Sequence, residues 1–401
     1  MKIRAIHFFL ASSIILAFAE LPTVAQETMP GPSVVASQHV TDAIAPKPLD
    51  FHEDMGSITL QSSNLLKIDA VLGIKDGAPE GKFTRELWQV SWRGGDPIDL
   101  YILRPTKVAK PPVILYLYSY PDGTDRFNNP QWCEGVVSRG YAAVGFVSAY
   151  TGHRLEYHAP KKWFVSELPE SLATTTHDVQ MILNFLASLG DLDMDRVGMF
   201  GEGSGGSIAI LASAADPRIK ALQVLGAWGD WPDWLAQSKM VPEEERATYL
   251  KPEFQKSVAP LDPVLWLPKV KAESVRVENV ETYRMVPQIC ERKIEAAAPK
   301  NAQIDDFGDS RAMLLRMSSE GELFGWLKTQ LQPDAQRSAH LDDTERIHHY
   351  PPAGPPAQSN SLMAPPSSAP AGPQPSGGNR NPLMAPPPSS PAPENKPSAQ
   401  P

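Results

Sequence analysis

The chain has only two cysteines, Cys133 and Cys290, among its 401 residues. Two such distant cysteines cannot form a disulfide framework, and they lack the short spacing of a zinc site. The element order described below would place them on opposite faces of a sheet. We therefore expect two free thiols.

Long hydrophobic runs are also missing. The one extended apolar segment, Ala5–Phe18, follows two basic residues and precedes small-residue patterns that end at Ala19 and Ala25. A membrane-spanning helix needs about 20 apolar residues, so this segment is too short. Its layout is typical of a secretory signal peptide. We predict a signal peptide over residues 1–25, cleaved after Ala19 or Ala25, and an exported, periplasmic or secreted protein that does not span the membrane.

Basic clusters are absent, and the formal net charge is −9, which argues against nucleic acid as a partner. The glycine-rich run GEGSGG at residues 201–206 lacks the Lys-Ser/Thr of a phosphate loop. His153 and His158 stand further apart than the two histidines of a helical zinc motif. We therefore predict no cofactor and no metal site.

Both ends of the chain differ in composition from its middle. Residues 26–83 read as an N-terminal extension, and residues 333–401 as a tail rich in proline, alanine and serine. Such a tail cannot bury enough apolar surface to offset its ordering entropy, so we predict disorder. It either docks on a cell-envelope partner or is a solvated segment without a specific role.

The middle of the chain alternates buried strands with helices. A hairpin is predicted within Glu86–Pro105, with its turn at Gly94-Gly95. Continuous apolar runs without alternation are typical of parallel strands buried on both faces. These strands are Val113–Tyr118, Ala142–Val147, Val197–Phe200 and Ala221–Ala227. Ser274–Val280 and Gln303–Phe307 are the last two strand candidates. The intervening helices are Gln131–Arg139, Thr174–Leu189, Ile208–Ala214 and a closing helix that includes Phe324–Leu331 and can start as early as Ser310. This order predicts an α/β fold with a mostly parallel sheet and helices on both faces.

The segment RVGMFGEGSGG, which starts at Arg196, has the form of a nucleophile elbow. With its strand and helix order, the chain resembles the α/β-hydrolase fold over residues 84–332. The likeness is nearest to dienelactone hydrolases, acetyl xylan esterases and prolyl oligopeptidase catalytic domains. Counting from Gly201 puts Gly203 at the nucleophile position and Ser204 one residue late. A glycine there would leave bare backbone N–H groups at a helix N-terminus, which suits an anion.

The resemblance also implies positions for the other catalytic groups, because the triad follows the order serine, acid, histidine. Aligning on Met285-Val286-Pro287 puts Tyr283 at the acid position, with Glu281 two residues early. The base position lies between Phe307 and Glu322, where the chain has no histidine and Asp309 stands instead. Tyr118 and Ser119 take the places of the oxyanion loop's His-Gly. His340, His348 and His349 lie beyond the closing helix.

Three tryptophans, Trp228, Trp231 and Trp234, follow the predicted strand Ala221–Ala227 and either line a pocket or form a core. The predicted pocket is lined by Tyr118, Ser119, Glu202, Gly203, Ser204, Trp228, Tyr283 and Asp309. We predict a non-catalytic protein that binds a small molecule, sugar or peptide or assists at the envelope. Two alternatives stay open: an esterase or peptidase that uses Ser204 with an unusual acid and base, and an interaction protein that acts through its proline-rich tail.

Overall fold

The computed structural model describes residues 38–40, 53–60, 68–120, 124–152, 154–157, 159–282, 285–320, 324–332 and 346–353. Within these residues, eleven strands form one sheet in the order β1-β2-β3-β4-β6-β5-β7-β8-β9-β10-β11. The strands are β1 (Gln38–Val40), β2 (Asp69–Gly77), β3 (Phe83–Ser91), β4 (Ile98–Pro105), β5 (Pro112–Leu117), β6 (Ala142–Phe146), β7 (Asp193–Glu202), β8 (Ile219–Leu225), β9 (Ser274–Val280), β10 (Gln303–Phe307) and β11 (Ile347–Tyr350). The predicted signal peptide and most of the predicted tail lie outside the described residues.

The sheet has an antiparallel part and a parallel part. β1 to β4 run antiparallel to their neighbours, β4 pairs antiparallel with β6, and every pair from β6 to β11 is parallel. The predicted hairpin is present as β3 and β4, with Val90 opposite Ile98. The continuous apolar runs became parallel strands because both of their faces are buried.

Helices cover both faces of the sheet, as predicted. They are α1 (Pro130–Val137), α2 (Arg154–Tyr157), α3 (Leu168–Leu189), α4 (Ser204–Ala215), α5 (Trp231–Gln237), α6 (Glu243–Tyr249), α7 (Pro252–Val258), α8 (Pro263–Trp266), α9 (Gln288–Ala297), α10 (Ser310–Ser319) and α11 (Gly325–Gln330). One apolar cluster contains the buried sides of α3 and α4, and a second contains those of α1, α10 and α11. The closing helix that the sequence allows to start at Ser310 is two helices, α10 and α11, rather than one.

Both cysteines are free and buried, as predicted. Cys133 belongs to the cluster of α1, and Cys290 belongs to the cluster of α3 and α4. Burial raises the pKa of each thiol to about 12. Both thiols are therefore protonated at neutral pH, and neither is a reactive thiolate.

The long helix α3 begins six residues before the predicted start, with proline in its first turn. His177 and Asp178 lie in the interior of this helix and are fully buried. Asp178 accepts hydrogen bonds from Arg93 (2.5 Å) and Arg154 (2.9 Å), and these cations hold its pKa below the ordinary value despite burial, which acts to raise it. Arg93 and Arg154, which are distant in the sequence, thus stabilise the negative charge of Asp178 in the interior of the helix.

The sheet extends past the predicted domain limits of 84 and 332. β1 and β2 come from the predicted N-terminal extension, and β11 comes from the predicted tail. β11 is polar and four residues long, so its hydrophobic pattern carries little signal. Its backbone pairs with β10 nonetheless. Among the described helices, none has the length and apolar character needed to cross a membrane.

Candidate functional site

The elbow lies where β7 passes into α4. Gly203 stands between them with φ 55° and ψ −120°, a conformation that side-chain-bearing residues rarely adopt. A Cβ on Gly201 would lie 2.7 Å from the Cα of Gly206, and one on Gly205 would lie 2.6 Å from the carbonyl oxygen of Leu117. These two close approaches fix the register of the turn. Gly203 is therefore the apex, where a nucleophile elbow carries its reactive side chain.

The space above this apex is already occupied. A Cβ placed on Gly203 would lie 2.7 Å from the Cβ of Ser119, and the Ser119 hydroxyl oxygen would be closer still. The same point is 3.3 Å from the indole nitrogen of Trp228. Ser119 and Trp228 thus fill the volume that a nucleophile side chain would need.

Ser204 is half-buried at the first position of α4. Its hydroxyl oxygen accepts a hydrogen bond of 2.8 Å from the backbone N–H of Tyr120. That N–H belongs to the loop after β5, which in α/β-hydrolases supplies a donor to the oxyanion hole. The Ser204 hydroxyl therefore occupies a donor that catalysis would need free.

No histidine whose side chain is described contacts Ser204. His177 pairs with Glu53 (2.7 Å) and with the carbonyl oxygen of Ser57 (2.8 Å). His348 lies 2.9 Å from Asp305, and His349 lies 3.2 Å from Asp306. The remaining candidates from the sequence, which are His153, His158 and His340, lie outside the described residues.

Asp309, which stands at the position expected for the catalytic base, has a structural role. One of its carboxylate oxygens caps α10 by accepting the N–H of Ala312 at 2.7 Å, and the other accepts the N–H of Ala353 at 3.1 Å. The N–H of Gly308 donates to the carbonyl oxygen of Tyr350 at 2.8 Å. The chain that follows β11 therefore covers the corner where a catalytic histidine would stand. The sequence pattern gave no signal for this contact.

At the acid position, Tyr283 lies outside the described residues. Glu281 is exposed, and its backbone N–H donates to the carbonyl oxygen of Phe307 at 2.9 Å. It borders a cavity of about 490 Å³ that Lys239 and Glu291 also line. Burial raises the pKa of Glu291 to about 7, and the neighbouring carboxylates of Glu295, Asp306 and Glu281 add to the rise.

The oxyanion loop carries aromatic side chains. Tyr118 is buried against Tyr116, with a ring distance of 4.1 Å, and the guanidinium of Arg126 lies 4.1 Å above the Tyr118 ring. Burial raises the pKa of the Tyr118 hydroxyl well above its ordinary value. A phenol of this kind stays neutral at any physiological pH. Glu202, beside the apex, is half-buried.

The three tryptophans form a core rather than an open pocket wall, since all are fully buried. Trp228 stacks on Trp234 at 4.8 Å, and Trp231 meets Trp234 edge-on at 5.8 Å. The indole N–H of Trp231 donates to the carbonyl oxygen of Leu261 at 3.1 Å. The indole nitrogens of Trp228 and Trp234 have no hydrogen-bond partner among the described residues.

Comparisons with known proteins identify a family and a fold. The profile of the X-Pro dipeptidyl-peptidase (S15 family) matches residues 94–314. An acetyl xylan esterase from Paenibacillus sp. R4 is 18% identical with a TM-score of 0.51, over 64% of this chain and 90% of that chain. Acetyl xylan esterase 1 from Thermoanaerobacterium sp. JW/SL YS485 is 15% identical with a TM-score of 0.47, over 61% and 81% of the two chains. A search of curated proteins returned no match. The predicted α/β-hydrolase fold is confirmed.

Proposed function

The chain belongs to the X-Pro dipeptidyl-peptidase (S15) family of α/β-hydrolases, and from this premise we propose that it is a non-catalytic member that acts by binding. The observation that carries the proposal is the elbow apex. Gly203 offers no side chain there, and Ser119 and Trp228 fill the space.

Serine hydrolysis needs a hydroxyl activated by an imidazole, which a carboxylate orients. The residues between Phe307 and Glu322 include no histidine. Asp309, which stands there, is engaged by two backbone N–H groups. Loss of nucleophile and base together supports lost catalysis more strongly than either loss alone, because a shift in alignment would not remove both.

The family name points to peptides with proline in the second position, while the sequence leaves a small molecule, a sugar or a peptide open. We place this binding role outside the cytoplasm, because residues 1–25 have the layout of a secretory signal peptide. An accessory role at the cell envelope, with the proline-rich tail as tether, fits the same composition.

A fluorophosphonate probe tests the proposal on the mature chain, with an active serine hydrolase as positive control. We expect no covalent labelling and no turnover of an X-Pro p-nitroanilide or of p-nitrophenyl acetate. Ser204→Ala and Ser119→Ala are the matched variants. Labelling of the parent that disappears in either variant would identify a working nucleophile and overturn the proposal.

Deletion of residues 355–401 tests the tether, since it spares β11 and the contact of Ala353 with Asp309. We expect the truncated protein to be exported but to move from the envelope fraction to the soluble fraction. Unchanged fractionation would remove the tail from the proposal and leave the binding role intact.

A further inference from the structure

A second cavity lies at the edge of the sheet where the parallel strands β5, β6 and β7 begin. Its volume is about 200 Å³. Its lining includes Pro112 at the start of β5, Tyr141 just before β6, Arg196 near the start of β7 and Leu331 just after α11. The elbow follows the carboxyl end of β7, so this cavity lies at the opposite edge of the sheet from the elbow.

Three cationic side chains line the cavity, and they come from three different elements. Arg139 lies in the turn after α1, Arg196 is on β7, and Lys328 is in the last turn of α11. No carboxylate is among the described residues that line it. Like charges that face one cavity repel each other, whereas the protein as a whole is acidic, with a net charge of −9. The local excess of positive charge therefore favours an anion as the occupant.

The ammonium of Lys328 forms no hydrogen bond or ion pair with any described residue. A lysine near the end of a helix can donate to the last carbonyl oxygens of that helix. In α11, backbone N–H groups already bond to these oxygens. The N–H of Leu331 donates to Leu327 at 3.0 Å and to the carbonyl oxygen of Lys328 at 3.2 Å, and the N–H of Gln332 donates to Thr329 at 3.2 Å. The three donors of the ammonium are therefore available to a ligand.

The guanidinium of Arg196 is held in place and still has donors for a ligand. Its Nε donates to the carboxylate of Asp193 at 2.7 Å, and its Nη1 makes a weak contact of 3.5 Å with the carbonyl oxygen of Leu331. A guanidinium has five N–H donors, so these two contacts leave donors on Nη1 and Nη2. The side chain is 31% exposed, which lets an ion reach it from solvent. Asp193 compensates the charge of Arg196 in part, from outside the lining of the cavity.

The size of the cavity limits the ligand to a small ion. Pockets for drug-sized ligands have volumes of about 300–1,000 Å³, whereas this cavity has about 200 Å³. Liquid water takes about 30 Å³ per molecule, so the cavity has room for a tetrahedral oxyanion and a few waters. The planar fork of an arginine pairs with two phosphate oxygens at once, and a lysine binds phosphate as a point charge. The residue types in the lining therefore match a phosphate group.

We propose that this cavity, lined by Arg139, Arg196 and Lys328, binds the phosphate group of inorganic phosphate or of a small phosphomonoester. Four oxygens arranged as a tetrahedron suit donors from three different elements better than the two oxygens of a carboxylate do. The site is independent of the proposed function, because it lies at the other edge of the sheet and uses none of the elbow residues.

The test is a calorimetric titration of the mature chain with sodium phosphate at pH 8, where phosphate is a dianion. Sodium chloride at equal ionic strength is the control for salt. We expect one saturable site for phosphate, with a Kd of about 1 mM or lower, and no saturable heat with chloride. Glycerol 3-phosphate is titrated separately. Equal binding of the two ligands extends the site to phosphomonoesters, and binding of inorganic phosphate alone assigns it to the free ion.

Variants of the lining cations locate the site. Lys328→Met removes the ammonium but keeps an apolar stem, and it should weaken phosphate binding about 10-fold, while Lys328→Arg should retain most of the affinity. Lys256→Met is the matched control, because Lys256 is also in the last turn of a helix, α7, but lies outside the cavity. Its affinity should stay within about twofold of the parent. If Lys328→Met does not fold, Arg139→Gln serves in its place, with the same expected loss.

Heats that sodium chloride reproduces would overturn the proposal and leave an adventitious ion only. Equal phosphate affinity in the parent, Lys328→Met and Arg139→Gln would do the same, as would an equal loss in Lys256→Met. The fluorophosphonate result is read separately, because these variants leave Ser119 and Ser204 unchanged. Covalent labelling would refute the non-catalytic function whether or not phosphate binds, and absence of phosphate binding would refute the phosphate site alone.

Discussion

Restoring a serine at the elbow apex, by Gly203→Ser, should destabilise the protein without restoring hydrolysis. The new Cβ would lie 2.7 Å from the Cβ of Ser119, which is closer than real Cβ atoms approach. The backbone at this position has φ 55°, a strained value for any residue except glycine. The close contact and the strained backbone both raise the free energy of the folded state.

The expected loss of stability is the sum of the cost of backbone strain and the cost of overpacking. A residue with a side chain in such a conformation costs about 1–3 kcal/mol, and overpacking a buried site costs about 1–3 kcal/mol more. Their sum, roughly 2–6 kcal/mol, lowers the Tm of a domain of this size by roughly 5–20 °C. Ser119→Gly in the same chain should recover the overpacking part, whereas Ser119→Ala should not, since the clashing Cβ remains.

The assay combines calorimetric unfolding with p-nitrophenyl acetate hydrolysis and fluorophosphonate labelling, on Gly203→Ser alone and with Ser119→Gly. We expect a lowered Tm, partial recovery in the double variant, and hydrolysis at the background rate in both. The sequence has no histidine at the base position, so the new hydroxyl has no imidazole to take its proton. Rapid turnover, abolished by fluorophosphonate, would refute this reasoning and show that a base reaches the elbow.

Three further predictions concern the surrounding fold. Asp309→Ala should lower the free energy of unfolding by about 1–2 kcal/mol in urea, since it removes a helix cap and a second N–H partner, whereas the exposed Asp195→Ala should change it little. Cys133 and Cys290 should react with a disulfide reagent only after unfolding, because both are buried with a pKa of about 12; fast reaction of the native protein would contradict their burial. The carboxyl of Glu291 has its pKa raised from 4.5 to about 7, first by burial, so the folded state holds a proton that the unfolded state releases, and stability falls as pH rises from 4.5 to 7. Glu291→Gln should therefore gain about 1–2 kcal/mol over the parent at pH 8, after allowance for solvent screening, and nothing near pH 4, as Tm measured against pH would reveal.

Local sequence patterns predicted much of the fold. Apolar runs such as Val113–Tyr118 became buried parallel strands, because a strand covered on both faces must be apolar at every position. The glycine spacing around Gly203 predicted the elbow, since glycines are needed where the backbone of a turn approaches its neighbours closely. Tyr283, the candidate for the acid position, remains a prediction because it lies outside the described residues.

Other features depend on partners distant in the chain. β11 was assigned to the tail, because Ile347–Tyr350 is short and polar and its stability comes from pairing with β10. The burial of Asp178 within α3 depends on Arg93 and Arg154, which no window around Asp178 includes. Non-local pairing is therefore what the sequence analysis missed at both places.

The sequence by itself determined that Gly203 has no side chain and that the residues between Phe307 and Glu322 include no histidine, because residue types are fixed by the covalent chain. Only the tertiary structure decided what occupies the vacated space. Ser119 comes from the loop after β5 and Trp228 from the segment after β8, and the parallel sheet brings the carboxyl ends of these strands to the edge where Gly203 lies. Their convergence depends on strand order, which residue spacing along the chain does not encode.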